Sequence, residues 1–430
     1  MKKPIRALFR KLLETPALPA GAKLYLDFVK ASHRPPRPAE KLASSIFVSF
    51  PYNSLGDVLA LLPLLERMHA VHPDARIDVA VGSAVASFVQ SVPFVHVTPV
   101  PAVPHRGFVF WRLRELRELV RCFRDNLSAN RYAFSISPRW GSDTYARASR
   151  YLMYLVWAER YVSYSARVDG GPALLDCLST DLAMGGELES ESVRQIRLLE
   201  RVGILSPDVT LASGLDSETK SLVDLAKAQD KSLVESVLRR SCGTAVGGYI
   251  VVSPGASRLS NRWPTERYAE VLSYLHRFYG LPAFAVGAPA DLSSCEELEA
   301  ALPGVVSSLG GKTTLHELAA ILRGARLFLG NDSGPGHMAG ALGIPTIVLT
   351  AFALRSDEAH KHSALRWRPN GPKVLQIMPT NPKSPCISGC DADRAHCILE
   401  IEPRQVIAAA EAQLTGEHKS DIHRDRSVPC

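Results

Sequence analysis

The sequence predicts an α/β protein with two doubly wound, Rossmann-like domains that face each other across a cleft. Short apolar runs typical of buried strands alternate with helical patterns in both halves of the chain. Polar, glycine-containing turns follow several of these strands directly. Because ligands of such sheets bind outside the carboxyl ends of the strands, we expect the functional residues on these turns.

The first half alternates strands and helices from Ser45 onward. Ser45–Phe50 is an apolar run, and the next helix is predicted over Gly56–Val71 because its leucines recur at helical spacing. Further strands are predicted over Arg76–Gly82, Val95–Pro101 and Tyr132–Ser137, and further helices over Ala84–Ser91, Trp111–Arg124 and Asp143–Ala158.

The second half repeats the pattern after a polar stretch, 205–248, that we interpret as the end of the first domain and a connector. Strands are predicted over Tyr249–Ser253, Pro282–Gly287, Gly304–Ser308, Arg326–Gly330 and Thr346–Thr350. Helices are predicted over Thr265–Tyr279, Asp291–Ala301, Leu315–Arg323, Pro335–Leu342 and 402–414. The predicted organisation is a basic extension (1–43), a first domain with connector (44–245), a second domain (246–415) and a polar tail (416–430).

The composition is that of an ordinary globular protein, with 46% hydrophobic and 22% charged residues. No apolar run reaches the ~18 residues of a membrane span, and the N-terminus has no secretory apolar core. Eight cysteines in 430 residues do not make a disulfide scaffold, so we expect a cytoplasmic protein.

The net charge of +7 belongs to residues 1–43, which carry ten Lys or Arg and three acidic residues. A basic amphipathic helix with Ile5, Leu8 and Leu12 on one face suits an anionic inner-membrane surface. A solvated helix docked on the protein body explains the same pattern. Nucleic acid is not an expected partner, since the rest of the chain is neutral.

The clearest candidate site lies within residues 327–350. Two short apolar strands flank a helix of small residues, and the turn before that helix holds N-cap residue types followed by Pro335. The N–H groups and positive dipole at such a helix start favour a phosphate. Taken singly, Asp332 is also explained as a cap and His337 as a core histidine.

A second candidate turn follows the first strand and contains Asp57 directly after Gly56. An acid in the first turn of a helix is also favoured simply by the helix dipole. In the second half, PGAS (254–257) follows a strand directly, Trp263-Pro264 opens a helix, and LGGKTTL (309–315) is another hydroxyl-rich turn before a helix.

Together these turns resemble glycosyltransferase family 9, the ADP-heptose:lipopolysaccharide heptosyltransferase family, over about residues 44–415. The stretches that carry the resemblance are GDVLALLPLLERMHAVHPDARIDVAVG, PGAS…RWP, LGGKTTLHELAAIL and GNDSGPGHMAGALGIPT. The resemblance implies a GT-B fold and an inverting, metal-independent transfer of a heptose or related sugar from an ADP-sugar. The implied acceptor is an anionic glycolipid, the lipopolysaccharide core, or another saccharide.

The resemblance also implies roles for individual residues. Asp57 matches the family's catalytic base, and a carboxylate there can take a proton from the attacking hydroxyl. The implied donor-binding residues are Ser257, Arg258, Arg262, Lys312, Thr313, Asp332, Ser333, Gly334, Pro335, Gly336 and His337. The expected acceptor-binding residues are Asn53, Ser54, Gly56 and Arg139.

One position departs from the family pattern. The family commonly has a donor-contacting Lys two residues before the Trp-Pro, and here that position is Asn261. Arg262 and Arg258 are the nearby cations that can replace it, because a guanidinium binds phosphate bidentately. The departure leaves open a catalytically weak, nucleotide-sugar-binding partner of an envelope polysaccharide assembly complex. Heptose transfer to a protein and a same-fold nucleotide-sugar epimerase are further alternatives.

Three cysteines, Cys386, Cys390 and Cys397, lie close together in sequence with His396 beside the last. Their spacing does not fit the usual zinc patterns, so thiols without a metal are the favoured interpretation and a metal site is the alternative. We expect no cofactor beyond the ADP-sugar donor substrate.

Overall fold

The computed structural model describes residues 18–33, 45–101, 110–139, 144–165, 173–185, 188–207, 217–229, 248–358, 360, 363–384, 386 and 392–416. The chain forms two compact units, Met1–Ala212 and Ser213–Cys430. The boundary thus comes earlier than the sequence suggested. Helix Lys220–Ala228 of the predicted connector belongs to the second unit, where Thr219 donates its backbone N–H to Ala341 O at 2.8 Å.

The first unit is a six-stranded, fully parallel sheet in the order β3-β2-β1-β4-β5-β6. Its strands are β1 Ser45–Phe50, β2 Arg76–Gly82, β3 Val95–Val100, β4 Arg131–Ser137, β5 Trp157–Tyr164 and β6 Asp181–Ala183. Its helices are α1 Leu18–Ala31, α2 Leu55–Val71, α3 Ala86–Val89, α4 Phe110–Cys122, α5 Thr144–Leu155 and α6 Glu191–Arg201. A π-helical turn, Phe123–Leu127, continues α4, and a 3₁₀ turn spans Ala173–Leu178.

The second unit repeats this order, with β7 and β10 at its centre and the sequence β12-β11-β10-β7-β8-β9 across the sheet. Its strands are β7 Ile250–Ser253, β8 Ala283–Ala285, β9 Val306–Ser308, β10 Leu327–Asn331, β11 Thr346–Leu349 and β12 Val374–Ile377. Its helices are α7 Lys220–Ala228, α8 Thr265–Tyr279, α9 Leu292–Ala301, α10 Leu315–Arg323, α11 Gly334–Ala341 and α12 Pro403–Thr415. Short 3₁₀ turns span Leu259–Asn261, Pro289–Asp291 and Cys397–Glu400.

The two doubly wound sheets confirm the predicted GT-B fold class, but three strands were not predicted. Residues 143–158 were expected to form one helix, whereas α5 ends at Leu155 and β5 begins at Trp157. Pairing with β4, in which Arg131 faces Trp157, overrides the helical pattern of the preceding residues. β6 and β12 are short edge strands of three and four residues that carry little periodicity.

Helix α1 is docked on the first unit. Leu26 and Val29 are buried, and the Lys30 ammonium donates to Tyr154 O, Val156 O and the Tyr161 hydroxyl. Burial lowers the pKa of Lys30 to about 8. Residues 18–31 of the extension are therefore docked on the first unit. The predicted amphipathic helix with Ile5, Leu8 and Leu12 lies outside the described residues, and both of its interpretations stay predictions.

No helix within the described parts of the chain is long and apolar enough to cross a membrane.

Candidate active site

The centre of the first sheet brings two predicted site residues together. β1 and β4 are neighbours, and the strand order reverses between them. Asp57 lies in the first turn of α2, directly after β1, and Arg139 lies just beyond the end of β4. The two side chains therefore emerge at the same carboxyl edge, which is where doubly wound sheets bind ligands.

Arg139 is bound directly to Asp57. Its Nη1 donates to Asp57 Oδ1, and its Nε lies 3.4 Å from Glu191 Oε1. The guanidinium carbon stacks 4.5 Å from the centre of the Tyr52 ring. The Arg139 side chain is only 7% exposed and the Asp57 side chain 15% exposed. Arg139 is thus held in one orientation by a carboxylate on each side and by an aromatic face.

The other predicted acceptor residues form the turn that presents Asp57. Asn53 Oδ1 accepts the Ala84 backbone N–H at 3.1 Å, and a Cβ on Gly82 would lie 2.3 Å from that oxygen. The Asn53 oxygen therefore joins the turn after β1 to the turn after β2. Ser54 is the exposed N-cap residue of α2, and Gly56 is buried.

In the second unit, Asn331 joins the two central turns. Its Oδ1 accepts from the Trp263 backbone N–H at 3.1 Å and from the Tyr268 hydroxyl at 2.8 Å, while its Nδ2 donates to Pro254 O at 2.6 Å. Asn331 is fully buried, and burial raises the pKa of Tyr268 well above its usual value, so that hydroxyl remains a donor. The loop after β7 is thereby fastened to the end of β10.

The predicted phosphate-binding turn begins α11. Ser333 is the N-cap residue, with its hydroxyl bonded to Asn331 O at 3.1 Å. The Gly336 and His337 N–H groups both donate to Ser333 O, and Pro335 has no N–H. Among the residues that the structure describes, Ser333 and Gly334 are the positions of this turn whose N–H groups have no acceptor. The amides able to hold an anion are therefore these two.

Asp332 and His337 pair with each other. His337 Nε2 lies 3.6 Å from Asp332 Oδ1, and the Asp332 N–H donates to Leu349 O at 2.9 Å. Asp332 is thus held within the turn by its own backbone N–H and lies beside His337. The donor-binding roles of Asp332 and His337 stay predictions.

The cations of the loop after β7 are partly engaged by their own unit. Arg262 Nε donates to Ala256 O at 3.0 Å, and its Nη2 lies 3.6 Å from Asp291 Oδ1. Asn261 ends the 3₁₀ turn and donates its N–H to Arg258 O at 3.0 Å. Ser257 is exposed and Arg258 half-buried on the same loop.

Lys312 and Thr313 lie in the turn after β9, two strands away from β7 in the sheet. The Lys312 ammonium folds back to donate to Ser308 O at 2.9 Å. All predicted donor-binding residues therefore lie just beyond the carboxyl ends of strands of one sheet. Those of the two central turns are joined through Asn331, and Lys312 lies toward the edge of the sheet.

Sequence reasoning missed Glu191, Asp291 and the joining role of Asn331. Asn331 and Asp291 lie at strand-to-helix turns, which is a usable signal. Glu191 is the first residue of α6, after the cap Ser190, and nothing near it in sequence points to Arg139.

Comparison with known proteins agrees with this geometry. The family model for glycosyltransferase family 9 (heptosyltransferase) matches residues 207–395. Lipopolysaccharide heptosyltransferase 3 of Escherichia coli K12 is 22% identical over 381 residues, which span 87% of this chain and 99% of the relative. Glycosyltransferase family 9 is therefore the family that this chain resembles. Lipopolysaccharide core heptosyltransferase OpsX of Haemophilus influenzae is 31% identical over 122 residues, 28% of this chain and 32% of that protein.

Solved structures of family 9 proteins share the fold. A family 9 glycosyltransferase from Veillonella parvula aligns with a TM-score of 0.65 at 20% identity, covering 88% of this chain and 99% of its own. Escherichia coli heptosyltransferase WaaC with ADP aligns with a TM-score of 0.62 at 17% identity, covering 86% and 99%. The enzyme is accordingly a glycosyltransferase, and it shares the fold of these solved family 9 structures.

Proposed function

We propose that this enzyme transfers a heptose from ADP-heptose to the core of lipopolysaccharide, with inversion at the anomeric carbon and without a catalytic metal. The observation that carries the proposal is the Arg139–Asp57 contact at the centre of the first sheet. The substrates are taken from the relatives: the curated relatives are lipopolysaccharide or lipooligosaccharide heptosyltransferases, and one solved relative holds ADP-2-deoxy-2-fluoro heptose.

Asp57 is the proposed general base. As the acceptor hydroxyl attacks the anomeric carbon, its proton passes to Asp57, and the bond from that carbon to the diphosphate oxygen breaks with its electron pair on the leaving ADP. Because Arg139 engages Oδ1, the oxygen available to the acceptor is Oδ2. A single displacement of this kind inverts the anomeric configuration.

Arg139 is the proposed acceptor-orienting residue. Glu191 and Tyr52 hold its guanidinium, so that its position does not depend on Asp57 alone. An arginine fixed in this way orients the base and supplies positive charge beside it, which suits an acceptor that carries phosphate or carboxylate. The buried setting strengthens both effects relative to an exposed pair.

The leaving diphosphate is proposed to be stabilised by the start of α11. Within the described part of the chain, the Ser333 and Gly334 N–H groups have no acceptor, and the helix adds the positive end of its dipole. Fixed main-chain donors of this kind stabilise negative charge that develops in the transition state without a metal. Arg258, Arg262 and Lys312 are the proposed supporting cations.

A peripheral position on the cytoplasmic face of the inner membrane completes the proposal. Helix α1 buries Leu26 against the first unit but leaves Leu24 and Phe28 65% and 67% exposed, within the basic extension. An apolar pair among cations suits an anionic bilayer surface. Cosedimentation with phosphatidylglycerol vesicles should fall when Leu24 and Phe28 are both replaced by Ser, while Tm stays unchanged. Unchanged vesicle binding by the double variant would contradict this part.

The proposed activity is tested by product analysis. The enzyme is incubated with ADP-heptose and a truncated lipopolysaccharide core, and released ADP and the mass of the glycolipid are measured together. We expect ADP release to require the acceptor and the core to gain one heptose. Tight binding of ADP-heptose with no product on any truncated core would favour a binding partner. Conversion of the donor without any acceptor would favour an epimerase.

A further inference from the structure

A compact cluster of metal-binding side chains lies outside the site described above. The ligand atoms of Cys386, His396 and Cys397 lie within 4.8 Å of one another. His396 Nδ1 is 3.8 Å from Cys386 Sγ and 3.4 Å from Cys397 Sγ. Both cysteines are 1% exposed, and His396 is half-buried. Cys390, the third cysteine singled out in the sequence, lies outside the described residues.

The distances match the edges of a tetrahedral zinc site. Zinc binds sulfur at about 2.3 Å and imidazole nitrogen at about 2.0 Å, so neighbouring S and N ligands are separated by roughly 3.5 Å. The two measured sulfur-to-nitrogen distances, 3.8 and 3.4 Å, lie on either side of that value. One ion can therefore contact all three atoms with little movement.

The hydrogen-bonding capacity of His396 also favours a metal ion between these side chains. Nδ1 of a histidine carries either one hydrogen or one lone pair, so it can make only one hydrogen bond with the two sulfurs that face it. In addition, the Lys383 backbone N–H donates to Cys397 Sγ at 3.4 Å. A backbone donor to the sulfur is the usual outer partner of a metal-bound thiolate, whose negative charge it stabilises.

We propose that Cys386, His396 and Cys397 bind a structural zinc ion. Two thiolates and an imidazole select zinc over magnesium and calcium, which prefer oxygen ligands. With three protein atoms, a tetrahedral ion takes its fourth ligand from water or a further side chain. The side chains converge although their spacing in sequence does not follow the usual zinc patterns.

The ion would cross-link Cys386 to the segment with His396 and Cys397, which supports the central turns of the second unit. Cys397 opens a 3₁₀ turn followed by Ile401, whose carbonyl accepts from Trp263 Nε1 at 2.9 Å and from Arg267 Nη1 at 2.6 Å. Trp263 in turn donates its backbone N–H to Asn331. Zinc binding would therefore add to the stability of the folded unit, and the site takes no part in sugar transfer.

The test is the metal content of the full-length enzyme, purified without a metal-binding tag or chelator. Elemental analysis should find a stoichiometric zinc ion in the wild type and in Cys295→Ser, a buried thiol of the same unit. Cys386→Ser and Cys397→Ser should each lose it. Wild-type enzyme that neither contains zinc nor binds it from a zinc-buffered solution would overturn the proposal, as would iron in its place or zinc retained in both variants.

A second measurement covers variants that fail to fold. Wild-type enzyme is stripped with a chelator and reconstituted with cobalt, which should give the sulfur-to-cobalt charge-transfer band of a thiolate site. Tm should fall on stripping and return with zinc. Both readouts are independent of heptose transfer, so a failed activity assay leaves them interpretable. Absence of the band with an unchanged Tm would contradict the proposal.

Discussion

Arg139 donates a hydrogen bond to Asp57, a residue 82 positions earlier in the chain, because β1 and β4 are neighbours in the first sheet. The same arginine lies beside Glu191, which is 1% exposed. One guanidinium therefore serves two carboxylates from different helices. The orientation of the proposed base depends on that shared arginine.

Replacing Arg139 by Lys should impair turnover more than folding. A lysine keeps the positive charge but cannot contact Asp57 and Glu191 together while stacking on Tyr52. We expect kcat/KM to fall about 100-fold, with a normal circular dichroism spectrum. Arg147→Lys, which affects a more exposed pair with Glu115, is the matched control. Wild-type kinetics in Arg139→Lys would remove Arg139 from the site.

Replacing Asn331 by Ala should loosen the turns that hold the donor. The change leaves Trp263, Tyr268 and Pro254 groups buried without this partner, at a cost of about 3 kcal/mol in the free energy of unfolding. ADP affinity measured by calorimetry should fall as well. Tyr268→Phe removes only one of the four hydrogen bonds of the Asn331 side chain and should cost about 1 kcal/mol. Equal effects of the two variants would contradict the joining role of Asn331.

Gly340→Ala should destabilise the second unit, although Gly to Ala usually stabilises a helix interior by about 1 kcal/mol. A Cβ at this position of α11 would lie 2.5 Å from Asn370 O and 2.7 Å from Val374 Cγ2. The Asn370 carbonyl belongs to the backbone and can move away only at a high energetic cost. We therefore expect the free energy of unfolding, measured by chemical denaturation, to fall by about 1–3 kcal/mol. A stability equal to or above wild type would show that α11 is not packed this closely.

The buried thiol of Cys295 should make stability fall above pH 9. Burial raises the pKa of Cys295 from its ordinary value of 9.0 to about 12. Above pH 9 the unfolded thiol ionises while the folded thiol keeps its proton, so proton release favours unfolding. Between pH 8 and pH 10 the free energy of unfolding of wild type should fall by about 1 kcal/mol relative to Cys295→Ala. A difference that does not change with pH would contradict the shift.

Local turn chemistry was enough to predict where Asp57 and the Ser333 turn lie, because strand-to-helix turns have recognisable residue types. It could not predict Glu191, whose contact with Arg139 depends on the packing of α6, or the pairing of His337 with Asp332. It also missed β5, because the helical pattern of α5 runs on into Trp157 and only pairing with β4 decides otherwise. A sequence pattern does not specify long-range contacts or the orientation of side chains.

The most direct test of Asp57 as the general base is heptose transfer by the Asp57→Asn variant. The amide keeps the shape of the side chain and an oxygen for Arg139 but cannot take a proton. We expect kcat to fall about 10²–10⁴-fold while the Kd of ADP-heptose, measured by calorimetry, stays unchanged. Asp74→Asn, an exposed acid in the turn before β2, should behave as wild type. Wild-type turnover in Asp57→Asn would contradict the assignment of the base.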